Sequence, residues 1–170
     1  MSILMDRMNR GECDASLVVP PFMPKYPDMC HRFLRSYPVM AVLSSDHPLA
    51  RREKLSYSDL KGEPFIMMEP SDRPRDRMEE ALLIYKRGGF LPDIAAMESE
   101  PETLLLMISA GMGISILPEY IIRPYVKDRD LAVLPLVTDG GIAETVDFSV
   151  MWKENNINPA LQSFLSVLTQ

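Results

Sequence analysis

Glu98-Ser-Glu-Pro-Glu-Thr-Leu-Leu-Leu-Met-Ile-Ser-Ala-Gly-Met-Gly-Ile-Ser-Ile-Leu-Pro118 reads as a helix followed by a strand. Ser99 with Glu102 three residues on has the spacing of a capping box, and Pro101 stands where a first helical turn tolerates proline. Leu104 to Ile108 are apolar on every face, which predicts a helix buried all round. Gly111 and Gly113 end it, glycine being the residue that reaches left-handed dihedrals without strain. Ile114-Ser-Ile-Leu117 has the composition of a short buried strand, stopped by Pro118. Helix, glycine turn and buried strand in that order build a helix-covered, mostly parallel sheet.

The same alternation runs outward in both directions. Towards the N-terminus, residues 2–10 carry Ile3, Leu4 and Met8 at helical spacing before Gly11, and Ala15-Ser-Leu-Val-Val19 is a strand closed by Pro20-Pro21. Val39–Leu43 and Phe65–Met68 are further strands, and a helix over about 74–87 puts Met78, Ala81, Leu82 and Tyr85 on one face before Gly88-Gly89. Asp93–Met97 is the strand that feeds the opening stretch. Beyond Pro118, strands are expected at Leu131–Leu134 and Asp147–Trp152. Asn158 and Pro159 then start a last helix with Leu161, Phe164, Leu165 and Leu168 as its apolar stripe. The pattern is that of an α/β fold.

Four stretches resemble, in the right order, the effector-binding domain of LysR-type transcriptional regulators. They are Arg10-Gly-Glu-Cys-Asp14, Asp46-His-Pro-Leu-Ala50, Asp59-Leu-Lys-Gly-Glu-Pro-Phe-Ile66 and Ile108-Ser-Ala-Gly-Met-Gly-Ile-Ser-Ile-Leu-Pro118. The resemblance implies two Rossmann-like lobes of the type 2 periplasmic-binding-protein kind. The first lobe would comprise residues 1–62 and 140–170, the second residues 63–139, with an effector cleft between them. It also implies a strand–helix–strand unit ahead of the first helix. That unit has no counterpart in this sequence, so the first lobe is expected to be incomplete at its N-terminus and to leave a sheet edge or an apolar face uncovered.

Composition narrows the class. With 170 residues and 46% hydrophobic content the chain can bury a core, and 25% charged residues fit an ordinary soluble protein. A net charge of −6 argues against the chain gripping a phosphate backbone. Cys13 and Cys30 lack metal-ligand spacing and are too few for a disulfide framework. The first residues, Met-Ser-Ile-Leu-Met-Asp-Arg, put charge where a secretory signal needs an apolar core, and the longest apolar run is too short to span a membrane. The expected location is cytoplasmic, without membrane contact.

Catalytic patterns are scarce. His31 and His47 read as loop or surface residues, and Gly113-Ile-Ser115-Ile-Leu117 lacks the second glycine of a nucleophile elbow. Gly111-Met-Gly113 lacks the third glycine of a dinucleotide fingerprint and lies at a helix end. Neither a cofactor nor a metal site is expected, and the chain reads as no enzyme.

Two helix starts are candidates for holding a small molecule. Ser71-Asp-Arg-Pro-Arg-Asp-Arg77 sets three arginines near a helix N-terminus, where each opposes the dipole by up to about 1 kcal/mol. An anionic ligand would offset that, since arginine suits a carboxylate; Asp72, Asp76, Glu79 and Glu80 could equally neutralise the arginines on a solvated face. Ser99-Glu-Pro-Glu-Thr103 is the second start, which capping alone also explains.

The resemblance assigns both turns to the effector cleft, with Ser71, Arg73, Ser99, Glu100 and Thr103 facing the first lobe near Pro20 and Pro21. It implies a domain that senses a small metabolite, a carboxylate being one candidate class, and controls DNA-binding domains absent from this chain; a two-lobed solute-binding protein for a transporter is the alternative. DNA would be reached only through a helix-turn-helix segment, which this sequence does not contain. The intact regulator would be a homo-oligomer, and this chain a monomer or a non-standard dimer.

Overall fold

The computed structural model describes residues 3–19, 28–69, 82, 84–127 and 129–168. Its helices are α1 (Ile3–Asn9), α2 (Pro101–Ser109), α3 (Glu119–Ile122) and α4 (Pro159–Val167). Its strands are β1 (Ala15–Val18), β2 (Met29–Ser44), β3 (Leu55–Ser56), β4 (Pro64–Met68), β5 (Asp93–Glu98), β6 (Ser115–Pro118), β7 (Leu131–Val137) and β8 (Thr145–Lys153). Of the helix expected over 74–87, the described part is helical at residues 82 and 84–87; the remainder lies outside the described residues.

The chain divides into two compact units, one of Met1–Tyr37 with Val146–Gln170 and one of Pro38–Thr145. In this division residues 38–62 and 140–145 fall with the larger unit. β2 runs from the smaller unit into the larger, and β8 starts where the chain returns.

In the larger unit the strands succeed one another as β5, β4, β6, β2, β7, β3. β4 pairs with β5 in parallel, Met68 beside Glu98, and Phe65 bridges Ile114 in parallel. β2 pairs antiparallel with β6 on one side and with β7 on the other, and β3 lies parallel to β7. The sheet is therefore mixed. The mostly parallel arrangement expected from the α2–β6 stretch holds for β4, β5 and the Ile114 bridge, whereas β2 reverses the direction.

One core of this unit gathers Val42 from β2, Ile66 from β4, Leu104, Leu105 and Ile108 from α2, Leu117 from β6 and Ile122 from α3. α2 is not buried all round, as its composition suggested. Leu104, Leu105 and Ile108 turn inward, while Leu106 is 60% exposed, because the sheet covers only one side of the helix. Gly111 has the left-handed dihedral expected of a helix stop, at φ 77°. Gly113 serves differently. A Cβ there would sit 2.7 Å from the Pro64 carbonyl oxygen, so glycine lets Ile114 N–H reach Pro64 O at 2.8 Å and join β6 to β4.

A second layer is aromatic. Phe65 packs edge-on against Tyr85 at 5.0 Å between centroids, and Phe90 touches Tyr57, Phe65 and Tyr85. Gly88 lies flat on Tyr57, where a Cβ would come within 2.5 Å of the ring.

In the smaller unit β1 pairs antiparallel with β8, Ala15 opposite Trp152, and the first half of β2 flanks β8 on its other side. Successive β8 residues face opposite ways. Met151 meets Met8 of α1, while Val150 meets Leu161 and Leu165 of α4, so the two helices cover opposite faces of the strand. As expected, Asn158 caps α4, its side chain accepting from Ala160 N–H at 3.0 Å, with Pro159 following. Asp14 holds that cap from β1's side, accepting from Asn156 Nδ2 and Asn158 Nδ2 at 2.9 Å each. These donors keep the Asp14 carboxyl below its ordinary range.

Candidate ligand-binding site

Parallel strands end side by side, which is why open α/β sheets bind ligands beyond their carboxyl ends. Here β4 and β5 end together: Glu69 N–H donates to Glu98 O at 2.8 Å, immediately beyond the Met68–Glu98 pair. α2 begins at the same edge. Ser99, Glu100 and Thr103 are thus brought to one exposed turn. Ser71 and Arg73 follow β4 by three and five residues, and lie outside the described residues, as do Pro20 and Pro21 beyond β1.

The cap of α2 differs from the expected capping box. Glu100, not Ser99, is the N-cap residue, with extended backbone, and Pro101 is the first helical residue. Neither Ser99 nor Glu100 caps with its side chain. The Glu98 carboxylate instead holds the turn ahead of the helix, accepting from Ser99 N–H at 2.8 Å and from Glu100 N–H at 3.1 Å, with the Ser99 hydroxyl at 3.5 Å. Glu102 does not reach back to the cap, because Arg129 draws it away at 2.8 Å while donating to Tyr125 O at 2.7 Å.

Two consequences follow for binding. The negative charge beside this helix start is partly internal, with Glu98 seated on backbone donors and Glu102 neutralised by Arg129. The described part of the turn offers a polar ligand the exposed Ser99, Glu100 and Thr103 side chains. Glu98, Glu69 and Arg129 were not singled out in the sequence. Glu98 stands one residue before the motif, and the Arg129 tie joins residues far apart in the chain.

His47 is tied into a short turn of helix at Pro48–Arg51, its Nδ1 accepting from Leu49 N–H at 3.2 Å and its Nε2 facing Glu63 at 3.4 Å. Among the described residues no three His, Cys, Asp or Glu side chains are grouped to hold a metal ion. No helix among them is long and apolar enough to cross a membrane.

Over residues 2–170 the sequence matches the family described as LysR substrate binding domain. The chain belongs to that family. As a LysR substrate-binding domain it is 30% identical over 132 residues to the HTH-type transcriptional regulator TtuA of Agrobacterium vitis, which covers 77% of this chain and 42% of that protein. It is 26% identical over 155 residues to the uncharacterized HTH-type transcriptional regulator YnfL of Escherichia coli, covering 91% and 50%. The chain therefore spans about half, or less, of the length of these curated relatives.

Solved structures with the same fold include the C-terminal domain of a probable LysR family transcriptional regulator from Rhodococcus sp. RHA1. That match has a TM-score of 0.75 and 22% identity, and covers 98% of this chain and 79% of that one. The regulatory domain of Synechocystis PCC6803 CcmR in complex with 2-PG gives a TM-score of 0.74 and 23% identity, covering 97% and 76%. These likenesses establish the periplasmic-binding-protein-like α/β fold inferred from the sequence.

Proposed function

We propose that this LysR substrate-binding domain is the effector-sensing part of a transcriptional regulator. A small molecule bound at the Ser99–Thr103 turn, together with the Ser71 and Arg73 segment after β4 and the Pro20-Pro21 segment after β1, would bias the domain between two states. No bond is made or broken. The effector acts by binding one state more tightly than the other. The observation that carries the reading is the match to the LysR substrate-binding family along residues 2–170. The regulatory domain of CcmR, of the same fold, was solved in complex with 2-PG, which supports a small-molecule effector.

A carboxylate is the favoured class, because the arginines of 73–77 suit one. DNA contact belongs to a helix-turn-helix part of the full-length regulator, and homo-oligomerisation to that same whole protein. The domain works in the cytoplasm, where such a regulator meets the chromosome.

The test is calorimetric titration and thermal shift with a panel of aromatic and aliphatic carboxylates. At least one should raise the unfolding temperature, with saturating ligand at 100 times Kd contributing about 2.7 kcal/mol. Thr103→Val and Arg73→Met should each weaken that ligand while leaving the unliganded protein's stability within about 0.5 kcal/mol. Binding undiminished in both variants would remove the site, and turnover of a panel member would remove the sensing reading.

A further inference from the structure

We propose that the smaller unit carries a second small-molecule site, which binds the ammonium and carboxylate of a free amino acid between Asp14 and Lys153. A cavity of about 400 Å³ opens where α1 ends, β1 begins and β8 runs into the turn ahead of α4. Its volume is that of a small-ligand pocket. Its lining comes from residues 8–14 and 153–158, so the cavity is built within this one unit. It lies where β1 starts, whereas Pro20 and Pro21 follow the strand's other end.

The two stretches are stitched together. Lys153 Nζ donates to Asn9 O at 3.2 Å, and Asn156 Nδ2 donates to Asp14 Oδ1 at 2.9 Å. Asn158 Nδ2 donates to Asp14 Oδ2 at 2.9 Å, and Asn156 Oδ1 accepts from Asn158 N–H at 2.8 Å. Walls tied in this way are set before a ligand arrives, which lowers the ordering cost of binding.

The charges decide the class of ligand. Arg10 is paired with Glu12 at 2.6 Å, whereas Asp14 and Lys153 have no oppositely charged partner among the described residues. The two amide donors keep Asp14 ionised and leave part of its acceptor capacity open. Lys153 is half-buried and has N–H bonds to spare beyond the one given to Asn9. A fixed anion and a fixed cation line one cavity, neither of them neutralised. A lone carboxylate would gain from Lys153 and lose to Asp14, and a lone amine the reverse; a ligand carrying both charges satisfies both. Beside them Met8 and Cys13 pack together, and Ile157 lines the cavity although it is 96% exposed. That apolar surface suits a short aliphatic side chain.

Three related probes test the site: α-aminobutyrate, butyrate, which lacks its ammonium, and propylamine, which lacks its carboxylate. NMR titration of the purified chain should show saturable shifts among residues 8–14 and 153–158 for α-aminobutyrate, with both single-charge probes at least about tenfold weaker. Lys153→Met should bring α-aminobutyrate down to the level of propylamine, and Asp14→Asn to that of butyrate. Thr103→Val should leave it within about twofold, which separates this site from the α2 turn. Should Asp14→Asn not fold, since Asp14 braces the α4 cap, Lys153→Met and the comparison of the three probes decide the matter. Equal binding of the three probes, undiminished binding to Lys153→Met, or no shift at these residues overturns the proposal. Effector sensing at the α2 turn stands or falls separately, on Thr103→Val and Arg73→Met.

Discussion

Asp59 shows what a residue that carries the family resemblance does physically. Its Oδ2 accepts from the N–H and the hydroxyl of Ser56, each at 2.8 Å, and its other oxygen meets Arg52. The Ser56 backbone donor, aided by the Ser56 hydroxyl and Arg52, holds the carboxyl below its ordinary value against the opposing effect of burial. The other matching stretches are of the same kind: Gly11 turns left-handed at φ 72°, Asp14 braces the α4 cap, and His47 caps a turn. They hold turns in place. A depressed folded-state pKa means stability that is present above the unfolded carboxylate value, near 4, and lost as pH falls through the folded value. Asp59→Asn should therefore cost about 1–2 kcal/mol at pH 7 and flatten the decline of unfolding free energy below about pH 4. Denaturant unfolding from pH 7 to pH 3 checks it, and parallel curves for the two proteins would refute it.

At the scale of elements, α2 is the sharpest test of what composition can and cannot say. Leu105 is fully buried in the core of the larger unit, while its neighbour Leu106 is 60% exposed. Leu105→Ala should cost about 2–5 kcal/mol and Leu106→Gln under about 0.5 kcal/mol, measured by the same unfolding titration. Equal costs would mean that Leu106 is covered in solution. A run of five apolar residues could not reveal which side meets the sheet, because that depends on β4, β5 and β7 arriving from elsewhere in the chain. Strands β4 to β8 were legible, each an apolar or alternating run bounded by glycine, proline or charge. The first half of β2 was not. Arg32 and Arg35 broke its pattern, and Arg32 belongs there only because its head donates to Leu165 O at 2.9 Å and lies over Trp152. The ligand turn was legible as a helix start through Pro101. The Glu98 carboxylate that holds the turn ahead of it was not, because its place depends on how the end of a parallel strand meets the helix.

For the whole molecule, edges matter as much as cores. β1 pairs with β8 and, among the described residues, with no other strand, and Leu17 on it is 57% exposed. Such an edge invites another chain, and a lysine on it discourages the pairing. Leu17→Lys should keep stability within about 0.5 kcal/mol and lower concentration-dependent self-association in sedimentation velocity. Unchanged association would move the contact away from this edge. The division of the chain has a further outcome, for biosynthesis. The larger unit is one unbroken run, Pro38–Thr145, whereas the smaller is assembled from both ends of the chain. On a ribosome the unbroken run can collapse as soon as it has emerged, while β1 must wait, its edge open, until β8 is made. Closing that gap over the intervening residues is the slow, non-local step. Of the strands described here β1 thus waits longest for its partner, and that interval is when a chaperone would have most to do.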